Sequence, residues 1–124
     1  MGKRNRNRNR RPRERPQKLV APSTDYSDTH GNVLTLRGSL TPATRLKYAE
    51  TLSGNVLSRE DAWHRALELL FEHLAVRWAI AGAPIERQRE LLARFRAATP
   101  EERAWVRGVV REHCAEHFPD VQAP

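Results

Sequence analysis

Arginine recurs through the first 18 residues of the chain, and its side-chain chemistry suits contact with phosphates. Seven arginines and two lysines face one acidic residue, Glu14, so this segment carries a net charge of +8. The other 13 basic and 14 acidic residues leave the rest of the chain at −1, although the whole chain is +7. A planar guanidinium binds two phosphate oxygens at once, and each neutralised phosphate releases a condensed counterion. We therefore predict a nucleic-acid-binding set consisting of Arg4, Arg6, Arg8, Arg10, Arg11, Arg13 and Arg15.

The same segment, called the basic arm below, has no residue that could pack into a core. Between Gly2 and Leu19 its only apolar residues are Pro12 and Pro16. Such a composition cannot offset the entropy lost on ordering, so residues 1–18 are predicted to be a disordered, Arg-rich arm. The arm contains no aromatic residue, which argues against base stacking and sequence readout within it. An acidic protein surface and no specific role remain open alternatives, whereas a membrane partner lacks an apolar anchor.

A second row of arginines is predicted on the last helix of the chain. Arg103, Arg107 and Arg111 are four residues apart, a spacing that places them on one helix face. None has an acidic residue three or four positions away, so the row has no ion-pair partner within its own helix. We include these three in the predicted nucleic-acid site, lying along a phosphate backbone. The alternative is a salt-bridged face, with Glu68 and Glu72 of an earlier helix pairing with the row.

The segment from Glu112 to His117 has a spacing that suggests metal chemistry. His113 and His117 are one helical turn apart, as when two imidazoles bind one zinc ion. No H-E-x-x-H or C-x-x-C motif accompanies them, and Cys114 lies about 100° further round the helix. Core packing is favoured over ligation for the two histidines, although the choice stays open, and no metal or other cofactor is predicted. Catalytic motifs are also missing from the sequence, so we predict no catalytic residues and no enzymatic activity.

Cysteine content and hydropathy restrict the compartment that suits this chain. The single cysteine rules out an internal disulfide framework and suits a reducing compartment. No apolar stretch follows the basic start, so a signal peptide is not expected. The longest apolar run, residues 69–80, is interrupted by charged side chains and is too short to span a bilayer. A cytoplasmic protein without a membrane partner is therefore predicted.

Helix start and stop signals predict an all-α fold, a small bundle of about four helices. Capping residues, prolines and glycines bound helices over residues 42–53, 59–81, 84–98 and 100–117. Capping boxes begin at Ser58 and Thr99, Gly82 ends the second helix, and Pro84 opens the third. The short β-like run from Val33 to Leu36 has no obvious partner, so it is interpreted as an extended segment packed on the bundle. The predicted organisation is the arm over 1–18, an extended and turn-rich transition over 19–40, a helical domain over 41–118, and a C-terminal tail over 119–124.

The long predicted helix over 59–81 is apolar on two sides. Trp63, Leu67 and Leu70 belong to a broad face that is expected to lie in the core. A second apolar strip on another side would remain for a partner or for a homodimer contact. This partner-binding strip consists of Leu69, Val76 and Ile80.

Charge and helical pattern together favour a small accessory nucleic-acid-binding protein. The arm would contact phosphates, and the helical body would supply docking. RNA or a ribonucleoprotein is favoured over DNA, because disordered Arg-rich segments commonly order on folded RNA. The alternative is a helical protein–protein interaction or adaptor module that dimerises or binds a partner through its apolar strip.

Overall fold

The computed structural model of the protein describes residues 22–53 and 59–124. The predicted disorder of the basic arm, the seven arginines in it and the predicted helix cap at Ser58 lie outside the described residues. Within the described ranges, no helix is long and apolar enough to cross a membrane.

A β-hairpin occupies the predicted transition segment. Strand β1 (Ser23–Ser27) pairs antiparallel with strand β2 (Val33–Arg37). The Asp28 carboxylate accepts hydrogen bonds from the backbone amides of His30 and Asn32, at 2.8 and 2.9 Å. Gly31 supplies the positive φ of 83° that the turn requires. The β-like run at Val33–Leu36 therefore does have a partner, on its N-terminal side.

The principal correction to the sequence-based fold concerns the predicted helix over 59–81. Helix α2 (Arg59–Leu74) ends seven residues early, and strand β3 (Ala75–Ile80) follows it directly. Residues 75–80 include β-branched and aromatic side chains, and their backbone pairs with the free edge of β2. This pairing satisfies polar backbone groups on both strands, which outweighs the helical hydrophobic pattern. The prediction of an all-α bundle is therefore wrong, and the fold is mixed α/β.

A tight turn extends the sheet by a fourth strand. Strand β4 (Ala83–Ile85) pairs with β3 across the two-residue loop Ala81–Gly82, giving an antiparallel sheet in the order β1-β2-β3-β4. Both loop residues have positive φ, at 52° and 81°, as a hairpin turn of type I′ requires. Gly82 and Pro84, interpreted from the sequence as the end of one helix and the start of the next, therefore belong to a hairpin.

An extra residue in β3 decides which of its side chains reach the core. Leu36 pairs with Ala75 and Thr35 pairs with Arg77, so Val76 is left between the two pairs as a bulge. Side chains alternate along a regular strand, and one inserted residue shifts that alternation. Ala75 and Trp78 therefore both face the core, whereas Val76 is exposed.

The three other helices begin near their predicted positions. Helix α1 (Pro42–Ser53) has the predicted bounds, and helix α4 (Pro100–His117) begins at the predicted capping box, in which Thr99 and Glu102 each accept the other's backbone amide. Helix α3 (Gln88–Arg96) is shorter than the predicted 84–98, because β4 takes its first residues. The helices and the inner face of the sheet share one core that includes Leu34, Leu36, Leu70, Phe71, Leu74, Trp78, Phe95, Val106 and Val110.

Candidate functional site

An open groove of about 830 Å³ runs between α2 and α4, with α3 contributing to its floor. Residues three and four positions apart share one face of a helix, and the groove's two walls follow this spacing. One wall comes from α2 and consists of Arg59, Glu60, Trp63, His64, Leu67 and Glu68. The other comes from α4 and consists of Pro100, Arg103, Ala104 and Arg107, while Phe95 and Pro124 complete the lining.

The connection between α3 and α4 positions the second wall. Arg94 donates two hydrogen bonds to the Glu102 carboxylate, at 2.7 and 3.2 Å, in a half-buried ion pair. The Arg94 guanidinium and the Thr99 backbone amide together hold the pKa of Glu102 below its usual range. Arg94 also lies over the ring of the buried Trp78, 5.2 Å from its centroid. The start of α4, and with it Arg103, is thereby connected to the core strand β3.

Arg103 lies in the groove with much of its hydrogen-bonding capacity unused. Its Nη2 donates to the carbonyl of Arg96 at the end of α3, and its guanidinium lies over Phe95, 5.9 Å from the ring centroid. Its Nε is buried and has no hydrogen-bond partner among the described residues. A guanidinium has five N–H donors, and among the described residues only Nη2 of Arg103 has a recorded acceptor.

Arg107, one turn further along α4, has still fewer partners. Its guanidinium lies over the ring of Trp63 across the groove, 5.7 Å from the centroid. Its Nε is buried without a hydrogen-bond partner among the described residues. The contact with Trp63 orients the cation but satisfies none of its donors. Arg107 is therefore a positioned cation with no anion beside it in the described structure.

The acidic residues of the groove lie on the α2 wall and have other partners. Glu68 forms an ion pair with Arg96 at 3.1 Å, and Glu60 lies 3.9 Å from the His64 imidazole. In the described ranges, no side-chain carboxylate oxygen lies within 4.0 Å of a nitrogen of Arg103, Arg107 or Arg111. The alternative in which Glu68 and Glu72 pair with the arginine row is therefore not what this structure shows.

Arg111, the third member of the predicted row, does not reach the groove. Its Nε donates to the carbonyl of Pro124 at 3.1 Å, which anchors the end of the described chain beside α4. Pro124 itself is buried and lines the groove. The structure therefore brings Arg103 and Arg107 together at one site and leaves Arg111 outside it.

The predicted partner strip is divided between a helix and a strand. Leu69 belongs to α2 and is 8% exposed, so it packs in the core. Val76 is the exposed bulge residue of β3, and Ile80, near the end of that strand, is partly buried. The regular helical spacing that placed these three residues in line ends at Leu74, and they do not form one helix face.

His113 is a fully buried core residue. Its Nε2 lies 2.8 Å from the Arg37 carbonyl oxygen and its Nδ1 lies 2.8 Å from the Tyr26 hydroxyl. A carbonyl can only accept, so Nε2 carries the proton, and Nδ1 accepts from Tyr26. Both ring nitrogens are thus occupied in joining α4 to the β-hairpin, and neither is free to bind a metal. Cys114 beside it is also buried, which raises the pKa of its thiol to about 11.

Lowering the pH from 7 to 5 is expected to reduce stability through His113. Burial depresses the pKa of this imidazole below its usual 6.5, so the unfolded chain takes up a proton before the folded one. The stability that neutral His113 contributes is fully present above pH 6.5. It is lost as the pH falls from there toward the pKa of His113 in the folded state. Its slope is at most about 1.4 kcal/mol per pH unit.

Urea unfolding between pH 5 and 7.5 checks this expectation. His113→Gln should remove most of the slope, whereas His64→Gln, at an exposed position, should keep it. An undiminished slope in the His113→Gln protein would show that another group is responsible.

Trp63 is the groove residue that the sequence pattern misplaced. Its apolar neighbours at i+4 and i+7 assigned it to the buried face, yet it is 40% exposed. The signal that could have placed it at the rim is the pair of polar residues, Glu60 and His64, on the same stretch of helix face. Phe95 belongs to the core, and its contact with Arg103 could be found only from the tertiary structure.

Among the residues that the structure describes, no group of three potential metal ligands lies close enough to hold an ion. Comparisons with models of known protein families, with curated proteins and with solved structures find no match to this chain.

Proposed function

We propose that this protein binds nucleic acid, RNA in preference to DNA, through the groove between α2 and α4 together with the basic arm. The observation that carries the proposal is the pair Arg103 and Arg107, two positioned guanidiniums in an open groove without a side-chain carboxylate partner among the described residues. Cations held in this way suit phosphates, which accept hydrogen bonds from both edges of the guanidinium fork.

The charge distribution supports the same proposal. The chain outside the arm has no net positive charge, so the cations of the groove act as a local site on an otherwise neutral body. The arm would add sequence-independent affinity from its own nine cations. RNA is preferred in the proposal because Arg-rich segments commonly order on folded RNA.

A salt titration of the full-length protein tests the proposal. Binding of a fluorescent RNA hairpin and of a DNA duplex would be followed by anisotropy between 50 and 300 mM salt. We expect tighter binding to the RNA and a steep fall of log affinity with log salt. In the double variant Arg103→Gln/Arg107→Gln, affinity at 50 mM salt should fall about 10- to 100-fold and the slope should lose about 1.5.

The matched control removes the same charge outside the groove. Arg65→Gln/Arg87→Gln alters two exposed arginines that do not line it, and should keep most of the groove-dependent affinity. If both double variants lose affinity equally, net charge alone accounts for the binding and the groove has no part in it.

The competing function is an adaptor that binds a protein. It would act through Val76 and Ile80, the members of the predicted strip that are not fully buried, or through the arm on an acidic protein surface. Absence of RNA and DNA binding at 50 mM salt would reject the nucleic-acid proposal and favour this one. A Val76→Glu variant would then be the change to examine for loss of a partner or of a homodimer.

A further inference from the structure

The groove contains more apolar surface than a phosphate site requires. Besides the charged residues, its lining includes Leu67 of the α2 wall, Pro100 and Ala104 of the α4 wall, and Phe95 of α3. Phosphate oxygens gain nothing from contact with such side chains, whereas the flat face of a nucleobase does. The ligand that matches the whole groove therefore has both an anionic group and a planar, largely apolar one.

Trp63 is the side chain best placed to receive the planar group. It is 40% exposed, whereas the core tryptophan Trp78 is only 2% exposed. Its ring forms part of the groove wall, Arg107 lies over the ring 5.7 Å from its centroid, and the exposed surface that this contact leaves open is what a base could stack on. A large aromatic side chain left exposed beside a cation is costly to hydrate and gains from a stacked ring.

The two cations indicate a strand and not an isolated nucleotide. Arg103 is held over Phe95 and Arg107 over Trp63, so their guanidiniums are kept over different rings. They are also one helical turn apart, about 6 Å along the axis of α4. Successive phosphates of a strand can engage one cation each, with a base between them or beside them.

A duplex does not meet the same requirement. Its bases are stacked on one another and offer the protein their edges, so Trp63 could stack only on a base that is unpaired. The α2 carboxylates disfavour a second phosphate strand on that wall, since Glu60 is exposed there and Glu68 lies further along it.

We infer that the groove binds an unpaired stretch of RNA, with one base stacked on Trp63 and the neighbouring phosphates bound by Arg103 and Arg107. The inference rests on the proposed function and deepens it, because it names single-stranded RNA as the ligand of the groove. Trp63 is the specificity-determining residue, discriminating single strands from duplexes, whereas the arm binds both.

Two substitutions separate stacking from simple apolar contact. Trp63→Phe keeps an aromatic face, and Trp63→Leu keeps apolar bulk without one. In the full-length protein we expect Trp63→Leu to weaken binding of a 12-nucleotide oligouridylate about 10-fold or more. Trp63→Phe should weaken it less than about 3-fold, and neither variant should change binding of a 12-base-pair RNA duplex by more than that. Uridine monophosphate should bind far more weakly than the oligonucleotide.

Tryptophan fluorescence gives a signal that would not respond to the oligonucleotide if Trp63 had only a structural role. Oligouridylate should quench the emission of the wild-type protein, because a stacked base lies against an exposed indole. Trp63→Phe should bind the oligonucleotide and lose most of the quenching, since Trp78 is buried and Trp105, partly buried against the core, does not line the groove. Urea unfolding of each variant would check that the fold is retained.

The outcomes distinguish the inference from the proposed function. If the wild type and both Trp63 variants bind oligouridylate and duplex equally well, while Arg103→Gln/Arg107→Gln weakens binding of both ligands, the stacking inference is wrong and nucleic-acid binding stands. If uridine monophosphate binds as tightly as the oligonucleotide, the ligand of the groove is a free nucleotide and not a strand, and the inference is wrong. If no RNA binds at 50 mM salt, the proposed function fails and the inference fails with it.

Discussion

Replacing the seven arginines of the basic arm with glutamine is expected to weaken RNA binding at 50 mM salt by about 10³-fold or more. If all nine cations of the arm meet phosphates, their contribution to the slope of log affinity against log salt is about −6 to −8. The substitution should reduce that slope by about 5, because each lost contact no longer releases a counterion. Anisotropy of a labelled RNA hairpin, measured with the otherwise unchanged full-length chain, gives both quantities.

The matched control for the arm keeps its charge and changes its geometry. Seven Arg→Lys substitutions preserve every cation but remove the planar fork. This variant should keep most of the salt dependence and lose only a modest part of the affinity. If the glutamine variant binds within about 3-fold of wild type, the arm is not an RNA-binding element and the groove must account for the affinity alone.

Trp78→Ala is expected to lower the free energy of unfolding by about 3–5 kcal/mol. Trp78 is 2% exposed in β3, and its ring packs edge-on against Phe71 at 5.8 Å between centroids. The substitution leaves a cavity between the sheet and α2, and it also removes the ring over which Arg94 lies. Small domains have a total stability of about 5–15 kcal/mol, and at the lower end of that range a loss of this size brings the domain close to unfolding at ambient temperature.

Urea denaturation followed by circular dichroism measures this loss. Val76→Ala serves as the control on the same strand, because Val76 is the exposed bulge residue, and it should cost less than about 1 kcal/mol. Losses of similar size at the two positions would contradict the bulged register, which is what directs Trp78 into the core and Val76 to the surface.

The expected loss of RNA binding and the expected loss of stability arise in separate parts of the protein, but the core also affects the groove. Arg94 links Trp78 to Glu102 at the start of α4, and α4 presents Arg103 and Arg107. A change that loosens this connection is expected to weaken groove binding while leaving affinity from the arm in place. In the proposed function the arm contributes charge, whereas the groove contributes geometry.

Several features follow from the sequence because the interactions that produce them are local. The starts of α1 and α4 depend on capping side chains within three residues of the helix end, Thr41 for α1 and the pair Thr99 and Glu102 for α4. The concentration of positive charge in residues 1–18 is equally a property of the sequence alone. Only the tertiary structure decided the rest. Residues 75–80 continue the apolar spacing of α2, but they pair with β2, a partner distant in the chain that no helical pattern reveals.

The candidate site divides in the same way. The spacing of Arg103 and Arg107 indicated one helix face, since helical periodicity is local. Only the packing of α2 against α4 shows that Arg111 contacts Pro124 and does not line the groove, and that Trp63 remains exposed. The sequence by itself thus determined which side chains carry charge and where three of the helices begin. The sheet and the groove were decided by contacts between distant segments, because backbone pairing and side-chain exposure depend on what packs against each element.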